Sequence, residues 1–179
     1  FVVVAGRGAD RGAARVEAIR AAGGEAMFVS VDAVDRASVQ ALLDATVNAR
    51  GRTDILVNCA GVNSSVPYFD IPDDDFDKVL NVNLRGVFFA TQYAAKQMIA
   101  QGSGGRIINI SSVHEDWPMP GNTPYCLTKG GMRMLARTAG VELAPHGVRV
   151  VNVAPGAVAT PINTVEMDPA TLAKLDDYI

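Results

Sequence analysis

Two kinds of segment alternate along the chain. Short apolar runs at Phe1 to Ala5, Met27 to Val31, Ile55 to Asn58, Arg106 to Ile110 and Val148 to Ala154 are rich in valine and isoleucine and mostly lack polar alternation. Such runs are expected of parallel strands covered by helices on both faces. Between them apolar residues recur at helical spacing. Val39, Leu42, Leu43, Thr46 and Val47 step as i, i+3, i+4, i+7 and i+8, and Gly51 stops the pattern. Ala13, Val16 and Ile19 mark an earlier helix that ends at Gly23-Gly24, and longer helical patterns run from Asp73 to Gln101 and from Pro124 to Leu143. Strands alternating with helices predict an α/β fold, a doubly wound parallel sheet with helices on both faces and ligands beyond the C-terminal strand ends. No repeat, low-complexity stretch or linker divides residues 1–179, so one domain is expected, with a tail after Thr160 that is loop-like and then weakly helical.

Composition narrows the function classes. With 49% hydrophobic and 20% charged residues the sequence has the make-up of a soluble globular chain, and its net charge of -3 includes no block of like charges that would hold nucleic acid. Cys59 and Cys126 form no CxxC and have no paired histidine, so neither a disulfide framework nor a metal site is expected. A reducing, cytoplasmic setting fits best. No apolar run approaches the roughly 20 residues of a bilayer span, and no leader pattern opens the sequence.

The candidate chemistry falls at the strand ends. Gly6, Gly8 and Gly12 miss the GxGxxG spacing because position 11 is Arg11, and they read as a strand end entering a small-residue helix. Arg7 stays at the ligand edge, where its planar fork of donors suits a 2′-phosphate and would favour NADP over NAD; a solvated surface arginine is the alternative. Asn58-Cys59-Ala60-Gly61 follows a buried strand with small residues that let a flat ligand approach, or forms an ordinary turn. Asn83 shares a helical stripe with Phe76, Val79, Leu80 and Val87, and a buried asparagine must find partners; it could instead bend or cap the helix near Gly86. Tyr125 and Lys129 are spaced i, i+4 on one helix face, where an ammonium favours the phenolate of a tyrosine otherwise near pKa 10. Ser112 ends a strand thirteen residues before Tyr125, and Pro155-Gly156 ends the last strand on the same edge. His114, Glu115 and Asp116 read better as a substrate-contacting loop, walled by Trp117 and Pro118, than as a metal site.

Taken together these residues resemble the short-chain dehydrogenase/reductase family over nearly the whole chain. Asn58-Cys59-Ala60-Gly61 is similar to its Asn-Asn-Ala-Gly motif, Asn83 to its catalytic asparagine, and Ser112 with Tyr125-Cys126-Leu127-Thr128-Lys129 to its Ser and Tyr-xxx-Lys. Ser112-Val113-His114-Glu115 and Thr160-Pro161-Ile162-Asn163 resemble more narrowly the glucose 1-dehydrogenases. The resemblance implies a Rossmann-like fold and hydride transfer between an alcohol or sugar carbinol and NAD or NADP. In that mechanism Tyr125 exchanges the hydroxyl proton, Ser112 hydrogen-bonds the reacting oxygen, Lys129 binds nicotinamide-ribose hydroxyls and lowers the Tyr125 pKa, and Asn83 holds a relay water. It further implies Asp32 and Ala33 at adenine, Asn58, Ala60 and Gly61 along the cofactor, Pro155, Gly156, Val158 and Thr160 at nicotinamide and pyrophosphate, Glu115 and Asn163 as sugar contacts, and a homotetramer.

The family pattern also leads one to expect a first strand and a Thr-Gly-xxx-Gly-x-Gly loop before Phe1, and a helix and final strand after Ile179. The sequence holds neither. The sheet is therefore expected to lack a central strand and to expose unpaired backbone at the gap. Three readings follow: an alcohol or sugar dehydrogenase, a 3-oxoacyl or other ketone reductase of the same family, and a truncated, inactive binding module.

Overall fold

The computed structural model of the chain describes residues 1–158; Thr160 and Asn163 lie outside them. Five strands, β1 (Val2–Gly6), β2 (Ala26–Ser30), β3 (Ile55–Asn58), β4 (Gly105–Ile110) and β5 (Val148–Val153), alternate with helices α1 (Ala9–Ala21), α2 (Arg36–Arg50), α3 (Asp73–Leu80), α4 (Gly86–Ala100) and α5 (Thr123–Leu143). Each strand lies within a residue or so of its apolar run. The single long helix expected from Asp73 to Gln101 is instead α3 and α4 joined through a π-helical turn at Asn81–Arg85.

Local chemistry sets the helix limits. The Asp35 side chain caps α2 by accepting from the Ala37 N–H at 2.9 Å, and Gly51 closes it in the left-handed region at φ 74°. Asp73, Asp74 and Asp75 place negative charge in the first turn of α3, where unpaired backbone N–H groups favour it. Pro124 sits in the first turn of α5, where its missing N–H costs nothing.

All strand pairs are parallel, as the unalternated apolar runs require. The described strands form two hydrogen-bonded sets, β1-β2 and β3-β4-β5, in line with the gap expected in the sheet. Ile55 and Val57 of β3 are accordingly 60% and 52% exposed, although their sequence reads as core. The main core gathers Leu43, Ala94, Ala95, Met98, Ile107, Ala136, Val148 and Val150, with Ile107 on the strand paired at both edges. Burying the larger of these, Leu43, Met98, Ile107, Val148 and Val150, stabilises by roughly 1.5–3 kcal/mol each. The β1-β2 pair is held to the remainder through α2 against α4, with the Arg36 guanidinium 4.0 Å from the centre of the Phe89 ring and its Nε donating to the Tyr93 hydroxyl at 3.3 Å.

Candidate active site

Three elements meet at the C-terminal end of β4. Ser112 leaves the strand and caps a short turn at Val113–Glu115, its Oγ accepting from the His114 N–H at 3.2 Å. The Val113 N–H donates to the Pro155 carbonyl at 3.0 Å, which brings the Pro155-Gly156 segment beside Ser112. From α5, Tyr125 and Lys129 face the same place, one helical turn apart.

Lys129 is only 5% exposed, and its Nζ donates to the Ile110 carbonyl at 2.9 Å and approaches the Met132 sulfur at 3.9 Å. An ammonium has three donors, so one remains to meet an acceptor such as a ribose hydroxyl. Burial pulls the Lys129 ammonium below the ordinary lysine value, while Cys59 and then Glu115 act against that loss. Tyr125 is half-buried, and burial pushes its phenol above 10.0, against the lowering effect of the nearby Ser112 hydroxyl. The expectation that Lys129 brings the phenol down is thereby corrected. Its Nζ is committed to the Ile110 carbonyl and lies 5.3 Å from the centre of the Tyr125 ring, and desolvation dominates.

Asn83 occupies the π-helical turn and is fully buried. Its Oδ1 accepts from the Val62 N–H at 2.8 Å, and its Nδ2 donates to the Val62 carbonyl at 2.8 Å and to the Thr128 hydroxyl at 3.3 Å. The amide thus ties the loop after β3 to α5, and the helix-distorting alternative holds together with the buried-partner one. π-Helical turns occur mostly as single-turn bulges inside α-helices and are frequent at functional sites.

At the end of β3, Asn58 is buried and donates through Nδ2 to Asn109 at 2.9 Å and Thr91 at 3.3 Å. Cys59, Ala60 and Gly61 beyond it are exposed and small, leaving a surface that a flat ligand can approach. The Asp32 carboxylate accepts from the Val34 N–H at 3.1 Å, shaping a turn in which Asp32 and Ala33 are half-buried. Arg7 is exposed in the connection from β1 to α1. Gly156 and Val158 lie on the surface after β5. Glu115 faces Asn152 and Arg133. His114 is edge-on to Tyr125, with ring centres 6.4 Å apart. Pro118, Met119, Cys126 and Leu127 help line an open groove of about 600 Å³ along α5.

Sequence reasoning passed over Thr128, Asn109 and Asn152. Asn109 and Asn152 carried a signal, each an uncharged polar residue flanked by apolar ones toward the C-terminal end of its strand, where Asn58 also sits. Thr128 carried none, because a threonine within a helix is unremarkable until its partners are known.

The family model described as short chain dehydrogenase matches residues 1–170. The chain is 39% identical over 180 residues to a 3beta-hydroxysteroid dehydrogenase 1 of Eggerthella lenta, covering 99% of this chain and 69% of that protein. It is 35% identical over 150 residues to glucose 1-dehydrogenase 2 of Bacillus subtilis, covering 83% and 58%. A crystal structure of a gluconate 5-dehydrogenase from Burkholderia cenocepacia in complex with NADP and tartrate superposes with a TM-score of 0.89 at 34% identity, covering 97% of this chain and 68% of that one. Across five curated relatives the chain spans 49 to 69% of their length.

Proposed function

The chain belongs to the short chain dehydrogenase family, and from that membership we propose that it serves an NAD(P)-dependent oxidoreductase acting on CH–OH groups of an alcohol or sugar. One observation carries the reading: Ser112 from the end of β4 and Tyr125 and Lys129 from one face of α5 converge, with the Ser112 hydroxyl near enough to the phenol to favour its ionisation and a buried ammonium 5.3 Å from the centre of the Tyr125 ring.

The residues divide the work. Tyr125 takes the hydroxyl proton in oxidation and returns it in reduction, and Ser112 holds the reacting oxygen against it. A buried phenol resists ionisation, which holds Tyr125 in the protonated form that donates in the reductive direction. Asn83, whose amide is spent on Val62 and Thr128, acts by fixing the α5 turn that bears Tyr125, more than by holding a relay water with its side chain. Lys129's remaining donor and the exposed Cys59-Ala60-Gly61 edge suit a dinucleotide, with Asp32 and Ala33 toward adenine and Pro155, Gly156 and Val158 toward nicotinamide. The nicotinamide, when bound, supplies the hydride acceptor or donor. Arg7 favours NADP, in keeping with the bound NADP of the gluconate 5-dehydrogenase. The named relatives act on sugars, sugar acids and a steroid, so glucose and related polyols head the substrate classes, with ketone reduction as the reverse direction. Self-association fits the exposed Phe88, Met134 and Val141 on α4 and α5.

The test is cofactor reduction on a panel of aldoses, secondary alcohols and hydroxysteroids, with 3-oxoacyl substrates and ketones in reverse. Tyr125→Phe is expected to lower turnover by at least about 100-fold while cofactor affinity and melting temperature stay near wild type. Unchanged turnover in that variant would remove Tyr125 as the proton carrier, and a wild-type protein inert on the whole panel would favour a binding role.

A further inference from the structure

A line of side-chain amides crosses the strand ends directly beneath the site. Asn58, Asn109 and Asn152 occupy matched positions on β3, β4 and β5. Each amide donates in the same direction: Asn58 Nδ2 to Asn109 Oδ1 at 2.9 Å, Asn109 Nδ2 to Asn152 Oδ1 at 3.1 Å, and Asn152 Nδ2 to Glu115 Oε2 at 3.0 Å. The line ends on the one member that can only accept when ionised. A carboxylate there selects the orientation of all three amides, because reversing any of them would turn an oxygen toward an oxygen. The dipoles point one way and polarise one another toward the charge.

Glu115 is also the last residue of the turn that Ser112 caps. Its second oxygen lies 4.0 Å from Arg133 Nε, so the carboxylate joins the turn to β5 through Asn152 and to α5 through Arg133. Its side chain is only 13% exposed, well placed to fix geometry. Asn109 lies immediately before Ile110, whose carbonyl holds Lys129, and three residues before Ser112. The line therefore braces both attachments of the reacting set to β4.

We propose that Glu115 is a positioning residue for Ser112, Tyr125 and Lys129, orienting the asparagine line across the strand ends and clamping the Ser112 turn to β5 and α5. The inference rests on the reading of those three as the reacting set, and it replaces a sugar contact with a supporting one at this position. The charged groups around the carboxylate are Arg133, Arg137 and Lys129 on α5 and Asp116 beside it in sequence, where Asp116 forms its own ion pair with Arg133. Facing Lys129 from other directions are Tyr125 and Cys59. Since the Glu115 charge helps keep Lys129 protonated, its removal should release that proton at lower pH.

Glu115→Gln keeps an acceptor oxygen and removes the charge. In the purified protein its expected signature is a severalfold fall in kcat, little change in substrate KM, and an alkaline limb of kcat/KM displaced to lower pH. Titration of Lys129 by NMR of carbon-13-labelled lysine, with Lys129→Arg to assign the signal, should show the same downward displacement without any need for turnover. A rise in KM with the limb and the Lys129 titration in place would mean a substrate contact and overturn the proposal. A lower melting temperature alone, with both pH readings unmoved, would reduce Glu115 to a structural role and overturn it equally. Glu115→Asp, one methylene shorter, is expected to restore the Lys129 titration in part. A wild-type protein without turnover whose Lys129 still responds to Glu115→Gln would overturn the proposed reaction while supporting the coupling.

Discussion

Tyr125 and Lys129 were legible as single residues because helix geometry alone puts i and i+4 on one face. What their ionisation does was not legible, since the sequence suggested attraction between ammonium and phenolate and could not weigh the burial that raises the phenol and lowers the lysine. Arg7 is the opposite case, an exposed side chain whose role depends on what it meets and not on what surrounds it. If its guanidinium pairs with a 2′-phosphate, Arg7→Ala should raise KM for NADP about tenfold or more, the loss expected for a charge-assisted hydrogen bond, and leave KM for NAD unchanged. Equal effects on the two cofactors, measured side by side, would take Arg7 out of phosphate recognition.

Between elements, α4 packs tightly against the connection after β2. A Cβ on Gly86, the first residue of α4, would fall 2.5 Å from the Ala33 carbonyl oxygen, a backbone atom with no rotamer to yield. Gly86→Ala is therefore expected to cost about 1–3 kcal/mol in urea unfolding, as overpacking does. Because the displaced segment holds Asp32 and Ala33, the same variant should raise the cofactor KM more than the substrate KM; an unaltered cofactor KM would argue against adenine binding there. The sequence showed the helical period across residues 73–101 but not the π-helical turn at Asn81–Arg85. That turn depends on Asn83 reaching Val62 and Thr128, partners 21 and 45 residues away, and periodicity contains no information at that range.

For the molecule as a whole, the decisive feature is that only β4 has a described partner on both edges. Averaged over each strand, amide hydrogen exchange should be slowest in β4 and distinctly faster in β1 and β3, which open from an edge without breaking a second ladder. Equal protection of β1 and β4 would show that the two strand sets unfold as one cooperative unit. The sequence by itself determined the alternation of strands and helices and the parallel character of the strands, because each follows from local spacing, and it offered Asn58, Asn83, Ser112, Tyr125 and Lys129 as candidates through their positions and the family resemblance. Tertiary structure alone decided the asparagine line ending on Glu115, the part played by Thr128 and the direction in which Tyr125 and Lys129 shift. Those depend on register, burial and side-chain approach between segments tens of residues apart, and such distances exist only once the chain has closed on itself.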